Sequence, residues 1–289
     1  MMKKKLLLQL DCDQLASTFD AVVAHDSGVD ALLQLSGVSP DDVRNQIYGL
    51  MFTRGGDDLK SSAAFIGGSD VVLGETMLKA AKSSFFGNVR VSLMLDSNGC
   101  NTTAAAAVAK LCGQDGLRGR KCVVLAGTGP VGKRAAGLMA LEGADVLLTS
   151  RKMDRVEEAC AEVNDRFGVS VRGAAVAGDE QARTAMDGAY AVLCAGAAGI
   201  QLLSREIWTN SPDLRRMGDI NAVPPMGIEG TEAHFDGMDL EGKRVFGALG
   251  IGNLKMAVHR ECIRRLFQSN DQVFDAEEVY AVAKELSQS

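Results

Sequence analysis

The sequence predicts an α/β protein built as two α/β domains separated by a cleft, the second a doubly wound parallel sheet of Rossmann type. Three observations lead there. From Lys121 onward short apolar runs alternate with amphipathic stretches, the pattern of a parallel sheet covered by helices. A glycine-rich stretch, Gly127-Thr128-Gly129-Pro130-Val131-Gly132, falls between the first such run and the first such helix. A chain of 289 residues also exceeds a comfortable single core, so two modest domains are expected.

In the second half, residues 122–126 read as a buried strand, and a helix follows from Pro130 to Glu142, with proline tolerated in its first turn and Gly143 as its stop. Residues 145–149 form the next strand. A helix over 153–167 sets Val156, Cys160, Val163 and Phe167 on one face and ends at Gly168. Further strands are expected near 169–176, 190–195, 216–220 and 245–248. The first hundred residues repeat the alternation more loosely: a strand over 4–10, a helix over 18–24, and a helix start at Ser39-Pro40-Asp41-Asp42 with Ser39 as N-cap. Strands over 63–66 and 90–95 are each followed by a glycine-containing turn and a helix. The alanine-rich segment from Cys100 to Leu111 reads as a long helix joining the halves, and Asp275-Ala276-Glu277-Glu278 opens a last helix. These elements divide the chain into residues 1–104 plus 255–289 and residues 105–254.

Composition narrows the function classes. Hydrophobic residues at 46%, charged residues at 24% and only 5 prolines describe a chain that folds throughout. A net charge of -6 offers no general attraction to nucleic acid or anionic lipid. The apolar stretch after Lys3-Lys4-Lys5 is too short for a signal core, and no run approaches the ~20 apolar residues of a membrane span, so a cytoplasmic enzyme is expected. Seven cysteines lack any C-x-x-C pair and three histidines lack ligand spacing, so no metal site and no disulfide are expected.

The glycine stretch has the G-x-G-x-x-G form, in which the glycines serve a tight turn, close approach of a diphosphate, and close helix–strand packing. The positive end of the following helix then faces the pyrophosphate. The bland alternative is a plain strand–helix turn. In NAD-preferring folds an acidic residue about 20 positions further on binds the ribose hydroxyls. Here Ser150-Arg151-Lys152 stands there instead. A guanidinium beside a hydroxyl suits a 2′-phosphate, so NADP is expected over NAD, with NAD as a weaker possibility; solvation of a loop by Arg151 and Lys152 is the alternative. Two more strand ends, Ala195-Gly196 and Asp219-Ile220-Asn221, fall where open α/β sheets place ligands. Asp219 and Asn221 either orient the nicotinamide or make turns through their side chains.

The rest of the chain is poor in acid/base machinery: it has no Ser-centred elbow and no catalytic Cys motif. Alcohol oxidation needs a proton acceptor, whereas a C–H flanked by amine nitrogens can lose hydride to a stabilised cation without one. Together with Gly127–Gly132 and Asp219–Pro225, the segments Asp96-Ser97-Asn98-Gly99-Cys100-Asn101-Thr102-Thr103 and Phe246-Gly247-Ala248-Leu249-Gly250-Ile251-Gly252-Asn253-Leu254-Lys255 resemble the bacterial NADP-dependent methylene-tetrahydromethanopterin dehydrogenases. The likeness extends to Phe19-Asp20 and Thr53-Arg54-Gly55-Gly56. It implies reversible hydride transfer from methylene-tetrahydromethanopterin, and also methylene-tetrahydrofolate, to NADP in one-carbon (formaldehyde) metabolism. It further implies a pterin-binding first domain carrying the C-terminal helix, and a homotrimer. Lys255, Asp20 and Thr102 fall in matching motifs and would lie near the pterin, acting by positioning and electrostatics; their ordinary alternatives are a solvated lysine, a helix-capping aspartate and a first-turn threonine. Competing functions are a shikimate-dehydrogenase-type enzyme, for which Lys60 and Asp96 would supply the Lys–Asp pair, and a non-catalytic NADP sensor.

Overall fold

A computed structural model describes residues 3–288. The chain forms two compact units, Met1–Thr102 with Met256–Val282, and Thr103–Lys255 with Ala283–Ser289.

The first unit carries β1 (Leu6–Leu10), β2 (Ala31–Leu35), β3 (Ser62–Ile66) and β4 (Ser92–Leu95), and its fifth strand is the last in chain order, β12 (Val273–Phe274). They form one parallel sheet in the order β12-β4-β3-β1-β2. All five residues of β3 are buried, as expected of a central parallel strand covered on both faces. Helices α1 (Thr18–Asp26), α2 (Pro40–Phe52) and α3 (Val71–Ser83) make the connections. One core runs from Leu8, Leu10, Ile66, Leu93 and Leu95 in the sheet to Ile47 in α2 and Met77 in α3. The start of α2 follows its sequence signal: Asp42 accepts from the Ser39 backbone N–H at 3.0 Å and from its hydroxyl at 2.6 Å. Strand β2 is absent from the sequence reading because its burial is only partial and Gln34 interrupts its apolar run.

Helix α4 (Cys100–Cys112) leads onward, its Ala104, Ala105, Ala106, Ala107 and Val108 fully buried. The second unit carries β5 (Lys121–Leu125), β6 (Asp145–Ser150), β7 (Arg172–Ala175), β8 (Ala189–Cys194), β9 (Arg216–Asp219), β10 (Asp236–Leu240) and β11 (Lys243–Phe246). Their order is β10-β11-β9-β8-β5-β6-β7, parallel except for the antiparallel β10–β11 pair at one edge. Read from β7 to β11 this is the doubly wound dinucleotide-binding order, and it reverses direction between β5 and β8. Helices α5 (Pro130–Leu141), α6 (Met153–Phe167), α7 (Asp179–Met186) and α8 (Arg205–Thr209) connect the strands. Helix α6 ends as the sequence predicts, with Gly168 in the left-handed region at φ 63°.

Several boundaries move for identifiable reasons. The strand expected over 245–248 is β11, shifted to Lys243–Phe246. The next residue, Gly247, donates to the Phe235 carbonyl, and a Cβ built on it would lie 2.2 Å from the Glu232 carbonyl oxygen. Helix α9 (Ala248–Arg265) starts directly after it. The polar edge strand β10 carried no apolar alternation to announce it. Helix α10 (Ala276–Gln288) opens with Glu278 accepting from the Asp275 N–H at 3.1 Å, the anticipated capping contact. No helix among the described residues is long and apolar enough to cross a membrane.

The Ser39 contacts hold the Asp42 carboxyl below the usual carboxylate range. A depressed carboxylate pKa contributes stability that is fully present above the unfolded value and lost as pH falls through the folded one. Asp42→Ala should therefore lower Tm at neutral pH, and the gap from wild type should close as the medium is acidified below the ordinary aspartate range, measured by thermal melts across pH.

Candidate functional site

In the second unit the chain leaves β5 through Ala126, held in the left-handed region at φ 51°, and turns at once into the glycine stretch. A non-glycine residue in that conformation costs roughly 1–2 kcal/mol, which the surrounding contacts must offset. Gly127 N–H continues the ladder to the Thr149 carbonyl at 2.8 Å. The glycines then divide their work. A Cβ on Gly132 would lie 2.5 Å from the Gly127 Cα and 2.5 Å from its carbonyl oxygen, so α5 packs on the turn as closely as a bare Cα allows. A Cβ on Gly127 would meet Val124 at 2.8 Å and Leu148 at 3.1 Å. Gly129 differs, because a Cβ there would meet no protein atom within 4 Å. It is the N-cap of α5, with Pro130 at the first helical position and no side chain capping the end.

A cavity of about 540 Å³ opens beside Gly129. Its walls come from successive strand ends: Ala126, Thr128 and Gly129 after β5, Ser150 and Arg151 at β6, Val176 to Asp179 after β7, and Ala195 to Ala197 after β8. Arg155, in the first turn of α6, joins them. The cavity thus lies at the carboxyl edge where strand order reverses. Neither Arg151 nor Arg155 has a carboxylate within ion-pairing distance among the described residues, and both are exposed.

Of the residues singled out from sequence, Thr128, Gly129, Ser150, Arg151, Ala195 and Gly196 line this cavity. Gly127, Pro130, Val131 and Gly132 shape the turn and the helix start beside it, and Lys152 is the exposed N-cap of α6. Asp219 and Asn221 make turn contacts. Asp219 is buried and accepts from the N–H groups of Asn221 at 2.9 Å and Ile228 at 3.0 Å. Burial pushes its carboxyl up, and those backbone donors pull it back. Asn221 accepts from Val223 N–H at 2.9 Å and Gly199 N–H at 3.3 Å and donates to the Pro225 carbonyl at 2.9 Å. Both side chains are occupied in fixing the loops after β8 and β9. Sequence reading missed Arg155 and Asp179; the first-turn spacing of Arg155 from Arg151 was visible, but its relevance needs the position of α6.

In the first unit the strand ends gather carboxylates. Asp11, after β1, accepts from Asp13 N–H at 3.0 Å and Ser17 N–H at 2.9 Å. Asp13 accepts from Ser69 N–H at 3.0 Å and its hydroxyl at 2.7 Å. These two and Cys12 stand at ligand spacing for a cation, yet their oxygens serve as loop pins. Asp96, after β4, takes the Thr102 N–H at 3.0 Å and hydroxyl at 2.6 Å, and Thr102 is wholly buried. Thr102 is therefore a first-turn residue of α4, and no ion pair joins Asp96 to Lys60 among the described residues. Asp20 is half-buried in the first turn of α1, where Ser17 rather than Asp20 is the N-cap. Its Oδ2 would lie 3.5 Å from a Cβ on Gly67, beside Phe65. The buried His259 ring stacks on Phe65 at 5.4 Å and 21°, and the half-exposed Phe19 ring tilts against His259 at 6.3 Å. Lys255, half-buried on α9, closes the long segment of the second unit.

Residues 18–98 match the family described as methylene-tetrahydromethanopterin dehydrogenase, N-terminal. The bifunctional protein MdtA of Methylorubrum extorquens is 49% identical over 288 residues, spanning 99% of this chain and 100% of that protein. The chain belongs to the methylene-tetrahydromethanopterin dehydrogenase family. An NAD(P)-dependent methylenetetrahydromethanopterin dehydrogenase of the same organism is 32% identical across 94% of this chain and 95% of its own length. A solved shikimate 5-dehydrogenase from Mycobacterium fortuitum covers 97% of this chain and 98% of its own, with a TM-score of 0.53 and 12% identity. That likeness shows a shared fold of α/β domains; family membership, and with it the oxidoreductase assignment, comes from the sequence relatives.

The glycine geometry separates structural from ligand-facing roles. Gly132→Ala should cost roughly 1–3 kcal/mol through backbone collision. Gly129→Ala should stay within about 0.5 kcal/mol of wild type. Chemical denaturation of both variants checks this.

Proposed function

We propose that this family member transfers hydride between a methylene-tetrahydropterin and NADP, with methylene-tetrahydromethanopterin and methylene-tetrahydrofolate as its substrate class. By family likeness we assign it to formaldehyde-level one-carbon oxidation as a cytoplasmic homotrimer, with residues 1–104 plus 255–289 binding pterin and 105–254 binding the dinucleotide. The observation that carries the NADP preference is the two guanidiniums, Arg151 just after β6 and Arg155 in the first turn of α6, that line the cavity with no ion pair among the described residues.

The residues of the cavity fit the dinucleotide. Gly129 leaves open space where a side chain would stand, at a helix start whose N–H groups and dipole favour a diphosphate. Ser150, Arg151 and Arg155 present one hydroxyl and two guanidiniums where an NAD-preferring site would carry a carboxylate. Such forks bind phosphate through paired charge-assisted hydrogen bonds. Ala195 and Gly196 keep the β8 side of the cavity low.

When bound, the nicotinamide supplies the hydride acceptor. The chain's own part is orientation and charge. The pyrimidine edge of a pterin is rich in N–H donors, and Asp20, an acceptor beside the Phe65–His259–Phe19 stack, suits such a flat ring. Its negative charge also favours the cation that remains after hydride leaves. Thr102 acts one step back, tying Asp96 to the first turn of α4. Lys255, carried by its motif, orients the pterin without moving a proton.

Arg151→Ala and Arg155→Ala should each weaken NADP by about tenfold or more and leave NAD nearly unchanged, as measured by calorimetric titration of both dinucleotides. Equal losses for the two would remove that arginine from the phosphate subsite. Lys255→Ala should raise KM for the pterin or lower kcat with the dissociation constant for NADP intact; an unaltered steady-state profile excludes it.

A further inference from the structure

On the dinucleotide reading, the wall of the cavity beyond the two arginines is left without a phosphate to hold. It is formed by Val176, Ala177, Gly178 and Asp179, the loop from β7 into α7. We propose that Asp179 reads the base of the dinucleotide, accepting a hydrogen bond from the exocyclic amine of adenine and so selecting an adenine over a 6-oxopurine nucleotide. The inference rests on the dinucleotide reading of the cavity and goes beyond it, since that reading concerns phosphates and ribose only.

The order of the sheet dictates the placement. The diphosphate belongs at the β5–α5 turn, and the ribose with its phosphate at the end of β6. The strand next outward is β7, so the base at the end of the adenosine moiety comes to the β7 loop. Val176 and Ala177 give that loop an apolar wall suited to a flat ring. Asp179 is its one titratable group. Asp179 is exposed, and no ion pair or side-chain hydrogen bond engages its carboxylate among the described residues. It occupies the first position of α7, behind the N-cap Gly178. An ionised carboxylate only accepts hydrogen bonds. It therefore does not hold phosphate, and lining the same cavity as Arg151 and Arg155 it would compete with one; the donors left for it on the adenosine end are the ribose 3′-hydroxyl and the 6-amino group, of which the base is the part that reaches the β7 loop. A 6-oxopurine offers an acceptor at that atom and meets the carboxylate oxygen to oxygen.

The test titrates the full-length chain by calorimetry with NADP and with its deamino analogue, nicotinamide hypoxanthine dinucleotide phosphate. Wild type should bind NADP on the order of tenfold more tightly than the analogue. Asp179→Ala should bring the ratio near one, mainly by weakening NADP. Asp179→Asn, whose amide can also donate, should abolish or reverse the preference, while Arg151→Ala should weaken both ligands and leave the ratio standing. Equal affinity of wild type for the two ligands, or an unchanged ratio in Asp179→Ala, overturns the role of Asp179 alone. A change in the NADP-to-NAD ratio of Asp179→Ala without a change in base preference does so too, placing the carboxylate at the ribose. If neither dinucleotide binds wild type, the cavity assignment itself falls and this inference with it.

Discussion

The cavity of the second unit depends on the bare approach of Gly132 to the backbone of Gly127, where a Cβ would lie 2.5 Å from the Gly127 carbonyl oxygen. With no Cβ between them, α5 starts directly on the turn that leaves β5. This fixes where the N-terminus of α5 points and holds Gly129 at the edge of open space. Ala126, just before the turn, holds a left-handed backbone. A larger residue at either glycine would push the helix outward, and the helix end would no longer present its amides to the cavity.

From that fixed point the sheet distributes chemistry by strand order. The cavity takes its small residues from the β5 and β8 ends, its cations from the β6 end and α6, and its acceptor from the β7 loop. Asp219, at the end of β9, is buried and bonded to loop amides. The first unit applies the same economy to its strand ends, where Asp11, Asp13 and Asp96 bind backbone or hydroxyl donors. Asp20 stands apart from these three as the carboxylate set beside an aromatic stack. A protein whose reaction moves hydride needs little proton transfer, and its polar groups are accordingly spent on holding geometry.

The second unit was largely legible in the sequence because parallel strands buried on both faces read as apolar runs, and the glycine stretch has few structural alternatives. The loop-forming work of Asp219 and Asn221 was one of two open readings, and its bonds become visible only with the positions of the Ile228 and Val223 amides. Thr102 looked like a ligand-facing hydroxyl by motif alone; its burial against Asp96 depends on how α4 leaves β4. Strand β12 could not be read at all, since two residues carry no periodicity and its partner Leu93 lies far away in sequence. Arg155 and Asp179 were likewise silent, because a surface arginine on a helix and an aspartate at a helix start each have an ordinary explanation until both are found lining one cavity.

The central claim is that the amides at the start of α5 hold a diphosphate while Arg151 and Arg155 hold the phosphate of the adenosine ribose. A crystal structure of the chain grown with NADP tests it most directly. The account predicts the diphosphate at Gly129 and the ribose phosphate between the two guanidiniums. Well-ordered NADP bound elsewhere, or in this cavity with its ribose phosphate turned away from both arginines, would contradict it.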